Sequence, residues 1–349
     1  MSMKFKNGAR RVSRRVDIIR NGAAVTTLDI VESPVVSVQA EAVLKANMTG
    51  VFRASEILRP TSDLLQPVLI LGGVEYPLGQ YAISVLTENH DDRGTVIHIE
   101  AYDRALWLQQ SKTEVRYYIA AGTKYVDAVQ AILLANGIER VISDPCDAIL
   151  ATAREDWEVG TDYLTIINTL LAEINYTSLW FDFNGIARLH RYVAPGVGNI
   201  RHIYRADEMS IIKPDTEREL DIFDAPNVFV AIVSNPEYDE PMIATAVNDS
   251  VSSALSTINR RRRIVSVETL DNIASQDELQ AYVNNKRAQS MISTETVRFY
   301  TANNPEHSVG DVIALHHEAL EGVFEETAWS ITLEAGADMT HEARRAMYL

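Results

Sequence analysis

The chain has 349 residues, of which 46% are hydrophobic and 23% charged, with a net charge of −16 at pH 7. At about 100–200 residues per domain that length gives two or three domains, each apolar enough to bury a core. The acidic balance argues against a general grip on nucleic acid or an anionic membrane, and no apolar run nears the roughly 18 residues needed to span a bilayer. A single cysteine, Cys146, excludes an internal disulfide and a thiolate metal cluster, and is compatible with folding in a reducing cytoplasm.

Residues 1–15 carry Lys4, Lys6, Arg10, Arg11, Arg14 and Arg15 without an acid. They contain no apolar stretch of the secretory kind, so they read as a terminal arm, solvated or docked on an acidic neighbouring subunit. Strands follow at Val16–Arg20 and Ala24–Val31 around the turn Asn21-Gly22, and a further pair is expected at Ala42–Met48 and Gly50–Ala54. Pro67–Leu71 and Val74–Tyr76 flank Gly72-Gly73 as a hairpin, and Gln80–Glu88 pairs with Thr95–Tyr102. Short strands with turns every 8–12 residues suggest a sandwich or barrel.

The stretch Thr95–Asn136 marks the change of character. Val96, Ile97 and Ile99 alternate with His98 and Glu100, and the alternation stops at Ala105-Leu106-Trp107-Leu108. A helical period then places Val126, Val129, Ile132 and Leu133 on one face, with Thr123 as N-cap and Gly137 at the C-terminal end. A near-repeat follows. Gly122-Thr123-Lys124-Tyr125 and Gly160-Thr161-Asp162-Tyr163 each open a helix, the second with the stripe Leu164, Ile167, Leu170, Leu171 and Ile174. Two copies do not make a solenoid. They make a helix pair packed on a small sheet, to which Ser178–Phe183 and Ile186–Tyr192 add a hairpin through Asn184-Gly185. Ala194-Pro195-Gly196-Val197-Gly198 breaks the pattern as a boundary.

After Arg205 strands are expected at Met209–Ile212, Leu220–Phe223, Asn227–Val233, Met242–Asn248 and Arg263–Glu268, with a Ser-rich loop at Ser250–Asn259. Ser275 and Glu278 form a capping box ahead of a helix over Leu279–Met291. Thr294–Tyr300, Asp311–His316 and Thr327–Glu334 complete the strands.

No pattern in the chain demands catalysis. His316-His317-Glu318 could be drawn as a metal pair, but adjacent strand residues point to opposite faces. Cys146 follows Asp144-Pro145 with no identifiable histidine partner and reads as a buried or incidental thiol. Glu155-Asp156 reads as exposed loop acids, since a glycosidase needs two acids facing each other across a cleft. Arg260–Arg263 lacks interleaved aromatics, so it suits an acidic neighbouring subunit better than nucleic acid. Trp107, Trp157, Trp180 and Trp329 fall within apolar segments and read as core. Neither a nucleotide-binding glycine loop nor a hydrolase or zinc-protease motif occurs.

The order of these features resembles the hub proteins of phage tails and contractile injection systems. That group takes in the baseplate hubs of contractile-tailed phages, late-control tail proteins, hubs of defective Bacillus prophages and R-type bacteriocin-like particles, and the hub half of type VI spike proteins. The resemblance is carried by Ile99-Glu100-Ala101-Tyr102-Asp103 with Leu106 and Leu108, then Gly122-Thr123 and its helix, then Trp157–Gly160-Thr161 and its helix. The hairpin Leu179–Tyr192, the strand entry Val309-Gly310-Asp311-Val312-Ile313 and the closing strand Trp329–Leu333 follow in order.

The resemblance implies a mainly β fold. Two tail-tube-type β-barrel domains are expected, the first over 1–111 and completed by 201–237, the second over 238–349 with a helical excursion at 273–292. An α/β domain over 112–200 is inserted in the first. Three chains would form a pseudo-hexameric ring joining a six-fold tail tube to a three-fold spike or fibre. The implied partners are two further copies, the tail tube protein or a tube initiator, a spike or tail-tip protein, the tape measure protein and other baseplate proteins, without membrane or sequence-specific nucleic acid. The resemblance implies no cofactor, no metal and no catalytic residue, and any wall-degrading activity is expected on another polypeptide. The location expected is the tail tip of a virion or extracellular phage-tail-like particle, after synthesis in the bacterial cytoplasm. The alternative reading is a cell-wall hydrolase or glycan-binding tail protein.

Overall fold

A computed structural model describes residues 11–92, 94–206, 212–220, 225–233, 241–251, 253–270, 273, 275–292, 295–318 and 320–347. Strand Val12–Arg20 (β1) turns at Asn21-Gly22 into Ala23–Thr27 (β2). Both turn residues have positive φ, 52° and 76°, which Asn-Gly adopts at little cost and which matches the twist of the flanking strands. Arg14 and Arg15 belong to β1 rather than to a free arm, and Arg15 pairs with Asp17 and Glu75. Lys4, Lys6 and Arg10 lie outside the described residues.

Ile30–Gln39 (β3) and Ala46–Arg53 (β4) pair antiparallel. The hairpin expected within 42–54 is therefore a single strand. Gly50 sits in its middle because the Phe52 ring lies across it, and a Cβ there would come within 2.7 Å of that ring. Leu64–Leu71 (β5) and Val74–Pro77 (β6) form the expected Gly-Gly hairpin, and Tyr81–Asp91 (β7) pairs along its length with Gly94–Asp103 (β8). Where alternation stops, Ala105–Gln110 forms a short helix (α1), its start held by the Asp103 Oδ1 acceptor 3.0 Å from the Ala105 amide.

The small α/β unit comprises Tyr117–Ile119 (β9), Tyr125–Ala135 (α2), Val141–Ser143 (β10), Arg154–Trp157 (β11), Tyr163–Ala172 (α3), Trp180–Phe181 (β12) and Ala187–Leu189 (β13). Both apolar stripes read from the sequence are buried. Val129, Ile132, Leu133, Leu164, Ile167, Leu170 and Leu171 share one core with Trp157, Phe181 and Leu189. Full burial of such side chains contributes roughly 1.5–3 kcal/mol each. The caps fall one residue later than expected, at Lys124 and Asp162. Thr123 and Thr161 instead close the preceding turns, their hydroxyls donating to Ala120 O and Glu158 O at 2.8 Å in both cases.

A turn at Val197–Asn199 leads to Ile200–Arg205 (β14), followed by Ile212–Leu220 (β15), Val228–Val233 (β16), Met242–Val247 (β17), Thr257–Arg260 (α4), Val265–Leu270 (β18) and Gln276–Ile292 (α5). The strands expected at Met209–Ile212 and Leu220–Phe223 are replaced by one, β15, the rest of those stretches lying outside the described residues. Glu295–Ala302 (β19), Val312–His316 (β20) and Gly322–Thr332 (β21) precede a strand the sequence reading did not find, Asp338–Met347 (β22). Its polar run Thr340-His341-Glu342 disguises the alternation, yet Met339 and Ala343 are fully buried.

The main sheet runs β15-β19-β22-β21-β3-β4-β8-β7-β5-β1-β2, with β6 added to β5 and β14-β20 added to β21. Among the described strands this path is open and does not return on itself. β3 pairs with β21, so the N- and C-terminal strands belong to one sheet. β14 pairs parallel with β20 and β15 antiparallel with β19, so both strands after the α/β unit join C-terminal partners. One core lies under β1, β3–β5, β8 and the Trp329–Met339 region; another, around Tyr204, Phe299, Ile313 and Phe324, lies beneath β19–β22.

Candidate functional site

The three-stranded sheet β17-β16-β18 has two unlike faces. Phe229, Ala231, Val233, Ala244 and Ala246 pack beneath α5 on Ile273, Leu279 and Val283. The other face consists of the cross-strand rows Val247–Val228–Val265, Thr245–Val230–Val267 and Ile243–Ile232–Thr269. Every one of these residues is β-branched, which suits a pleated surface meant for packing. One end of this face is covered, with Val228 2% exposed, whereas Ile243, Val265 and Val267 are 54%, 52% and 58% exposed. The free edge of β17 is closed by α5: Gln276 and Gln280 donate side-chain amides to Ile243 O and Thr245 O at 3.0 and 3.2 Å, and Arg287 reaches Val247 O. β18 is the other edge of this sheet, entered directly from the exposed Arg261, Arg262 and Arg263.

A second constellation is buried under β19–β22. Glu326 on β21, His341 on β22 and His307 in the loop before β20 have side chains with no solvent exposure. The Nδ1 atoms of His307 and His341 meet the two oxygens of the Glu326 carboxylate from opposite sides. Their Nε2 atoms meet hydroxyls, His307 at Tyr204 and His341 at Thr301, the latter at 2.8 Å. Phe299 stacks on His341 at 4.5 Å and His202 on His307 at 4.0 Å. His202 Nε2 lies 3.2 Å from Asp311 Oδ2, which also accepts the Ser308 amide. Burial raises the Glu326 carboxyl above the usual carboxylate range, lowers His307 to about 3, and lowers His341.

No family model and no curated protein matches the sequence. Solved structures do match. A tail protein of Neisseria meningitidis MC58 superposes with a TM-score of 0.66 at 11% identity, over 95% of this chain and 96% of its own. The 43 kDa tail protein of prophage MuSo2 from Shewanella oneidensis gives 0.64 at 10%, over 96% and 99%. The chain has the fold of phage tail proteins. An E. coli component of the type VI secretion system, described as structurally similar to the T4 tail proteins gp27 and gp5, gives 0.51 at 12%, over 95% and 76%.

Within this tail-protein fold the residues singled out in the sequence scatter. His316 meets Glu321 across a turn at 2.8 Å, and the run His316-His317-Glu318 is absent from both buried triads. Cys146 is half-buried with Arg191 Nη2 at 3.7 Å from its sulfur. Glu155 and Asp156 are exposed but stand on β11, where Asp156 takes the Arg154 guanidinium. Arg260 belongs to α4 and reaches Ala225 O at 2.6 Å. Trp157 and Trp329 are core residues, while Trp107 and Trp180 are half-buried. The buried triad was missed because its members stand 19 and 15 residues apart, on a loop and two different strands, with no motif spacing between them. The only local signal is the acid pair Glu325-Glu326 set between the apolar Val323-Phe324 and Ala328-Trp329.

Proposed function

We propose that the chain is a structural hub at the tip of a phage tail or phage-tail-like contractile injection particle. In this reading three copies assemble and adapt a six-fold tail tube to a three-fold spike or fibre. The observation that carries it is the whole-length likeness to tail proteins, over 95% of this chain and 96% of the Neisseria protein. The type VI component adds an injection-particle relative with the same fold.

The division into two tail-tube-type units, 1–111 and 238–349, with 112–200 inserted in the first, belongs to the same proposal. The pairing of β14 and β15 with C-terminal strands favours moving those two strands to the second unit. Partners would be further copies, the tube protein or its initiator, a spike or tail-tip protein, the tape measure protein and neighbouring baseplate proteins. The location would be the particle tip, reached after cytoplasmic synthesis.

The exposed part of the β-branched face of β17-β16-β18, at Ile243, Val265 and Val267, supports assembly, because a sheet face of this kind is stabilised by exclusion from water. Arg261–Arg263 beside it would meet an acidic surface, and the chain itself carries −16. Light scattering of the purified chain should give the mass of three 38.9 kDa chains, with or without added tube protein. A monomer under both conditions, or six copies per ring in images of the particle, overturns the hub reading.

A further inference from the structure

The Glu326 side chain has no solvent exposure, and an isolated carboxylate in such a place costs several kcal/mol. Its two contacts are imidazoles whose Nδ1 atoms converge on it. The donor atoms of His307, Glu326 and His341 all lie within 4.8 Å of one another. Each imidazole is gripped at its far nitrogen by a hydroxyl, Tyr204 or Thr301, and His341 is further held by the Phe299 ring. Outer partners of this kind fix the ring and leave Nδ1 as ligand. The neighbouring triad, His202, His307 and Asp311, is less suited. There the two imidazoles lie face to face, 16° from parallel, so their lone pairs run alongside each other rather than converging.

We propose that His307, Glu326 and His341 form a binding site for a divalent transition-metal ion of the zinc class. Two imidazoles and a carboxylate are the donors such an ion takes. Its charge would satisfy the buried acid, and the carboxylate and imidazoles would give up any protons they hold as it entered. The ion would add the side chain of the loop residue His307 to β21 and β22, which are already paired through their backbones. The site is independent of the tail-hub reading, since it concerns how the C-terminal strands are held together.

The test uses the full chain without a histidine tag, expressed with added zinc and measured by plasma mass spectrometry. About one zinc per chain is expected, with a lower melting temperature after chelation and its recovery on adding zinc. Cobalt substituted for zinc should give the visible absorption of a four- or five-coordinate ion. Glu326→Gln should fold, as judged by circular dichroism, and bind zinc at least about tenfold more weakly. Should that variant fail to fold, the cobalt spectrum of the unaltered chain decides. A folded chain that stays metal-free in excess zinc, cobalt and nickel and melts identically in chelator refutes the site, leaving a proton-sharing network. Unweakened binding by a folded Glu326→Gln refutes it too.

Discussion

Arg154 reaches from β11 into the core of the α/β unit with its side chain 3% exposed, and both oxygens of Glu173, 6% exposed, accept from its Nη1 at 2.7 Å. Burial lifts the Glu173 carboxyl above its ordinary range even with the guanidinium beside it. Removing one partner of such a pair strands the other charge. Arg154→Met should therefore destabilise by about 3–5 kcal/mol in thermal melts, and Arg154→Met with Glu173→Leu should recover most of the loss. Asp63 is the counterpart in the main sheet. Its carboxylate accepts two bonds from Arg20 at 2.7 Å and one from the Arg59 amide at 2.8 Å, and the Arg20 bonds hold it below the usual aspartate range. A depressed carboxyl stabilises above the unfolded value of about 3.9 and loses that contribution as pH falls through the folded value. Asp63→Asn should cost about 2–3 kcal/mol at neutral pH. The variant should also flatten the loss of stability below about pH 4, measured by denaturant titration across pH. Neither pair was visible in the sequence, because Arg154-Glu155-Asp156 offers three charges and only the fold shows which one turns inward.

The helices α2 and α3 show how far local pattern carries. Their apolar stripes were legible because a 3.6-residue period leaves few alternatives over ten residues. The α3 cap was misplaced by one residue because Thr161 and Asp162 stand side by side, and both are good caps. At α3 the Asp162 side chain accepts the Thr165 amide at 2.8 Å, whereas Lys124 at α2 makes no such bond. Asp162→Ala should cost about 1 kcal/mol in thermal denaturation. Lys124→Ala should cost less, losing only its surface contact with Asp147. A larger loss for Lys124→Ala would show that the cap assignment is wrong. β22 escaped notice for a related reason. Its inward set includes His341 and Arg345, so two-residue alternation is masked wherever a buried polar group takes an apolar position.

At the scale of the whole molecule the order of strand-rich and helix-bearing stretches was legible, and the pairing between the two ends of the chain was not. A hairpin announces itself by its turn, but the β3–β21 pairing joins strands from opposite ends of the sequence and leaves no local mark. The open face of β17-β16-β18 was equally hidden, since a β-branched run reads as core whether or not anything covers it. Replacing both Val265 and Val267 by Glu should leave the chain folded and shift its scattering mass from three copies to one. An unchanged mass would place the contacts between copies elsewhere. The β3–β21 seam also sets a timetable. β3 is made early, with β4 close behind to cover one side. Its other side waits for a strand that starts roughly 280 residues later, which at about 5–20 residues per second is some 15 s to a minute of translation. During that interval β3 exposes an unpaired strand edge on the ribosome. A nascent chain halted before residue 322 should be the form most prone to pair with its neighbours or to recruit a chaperone.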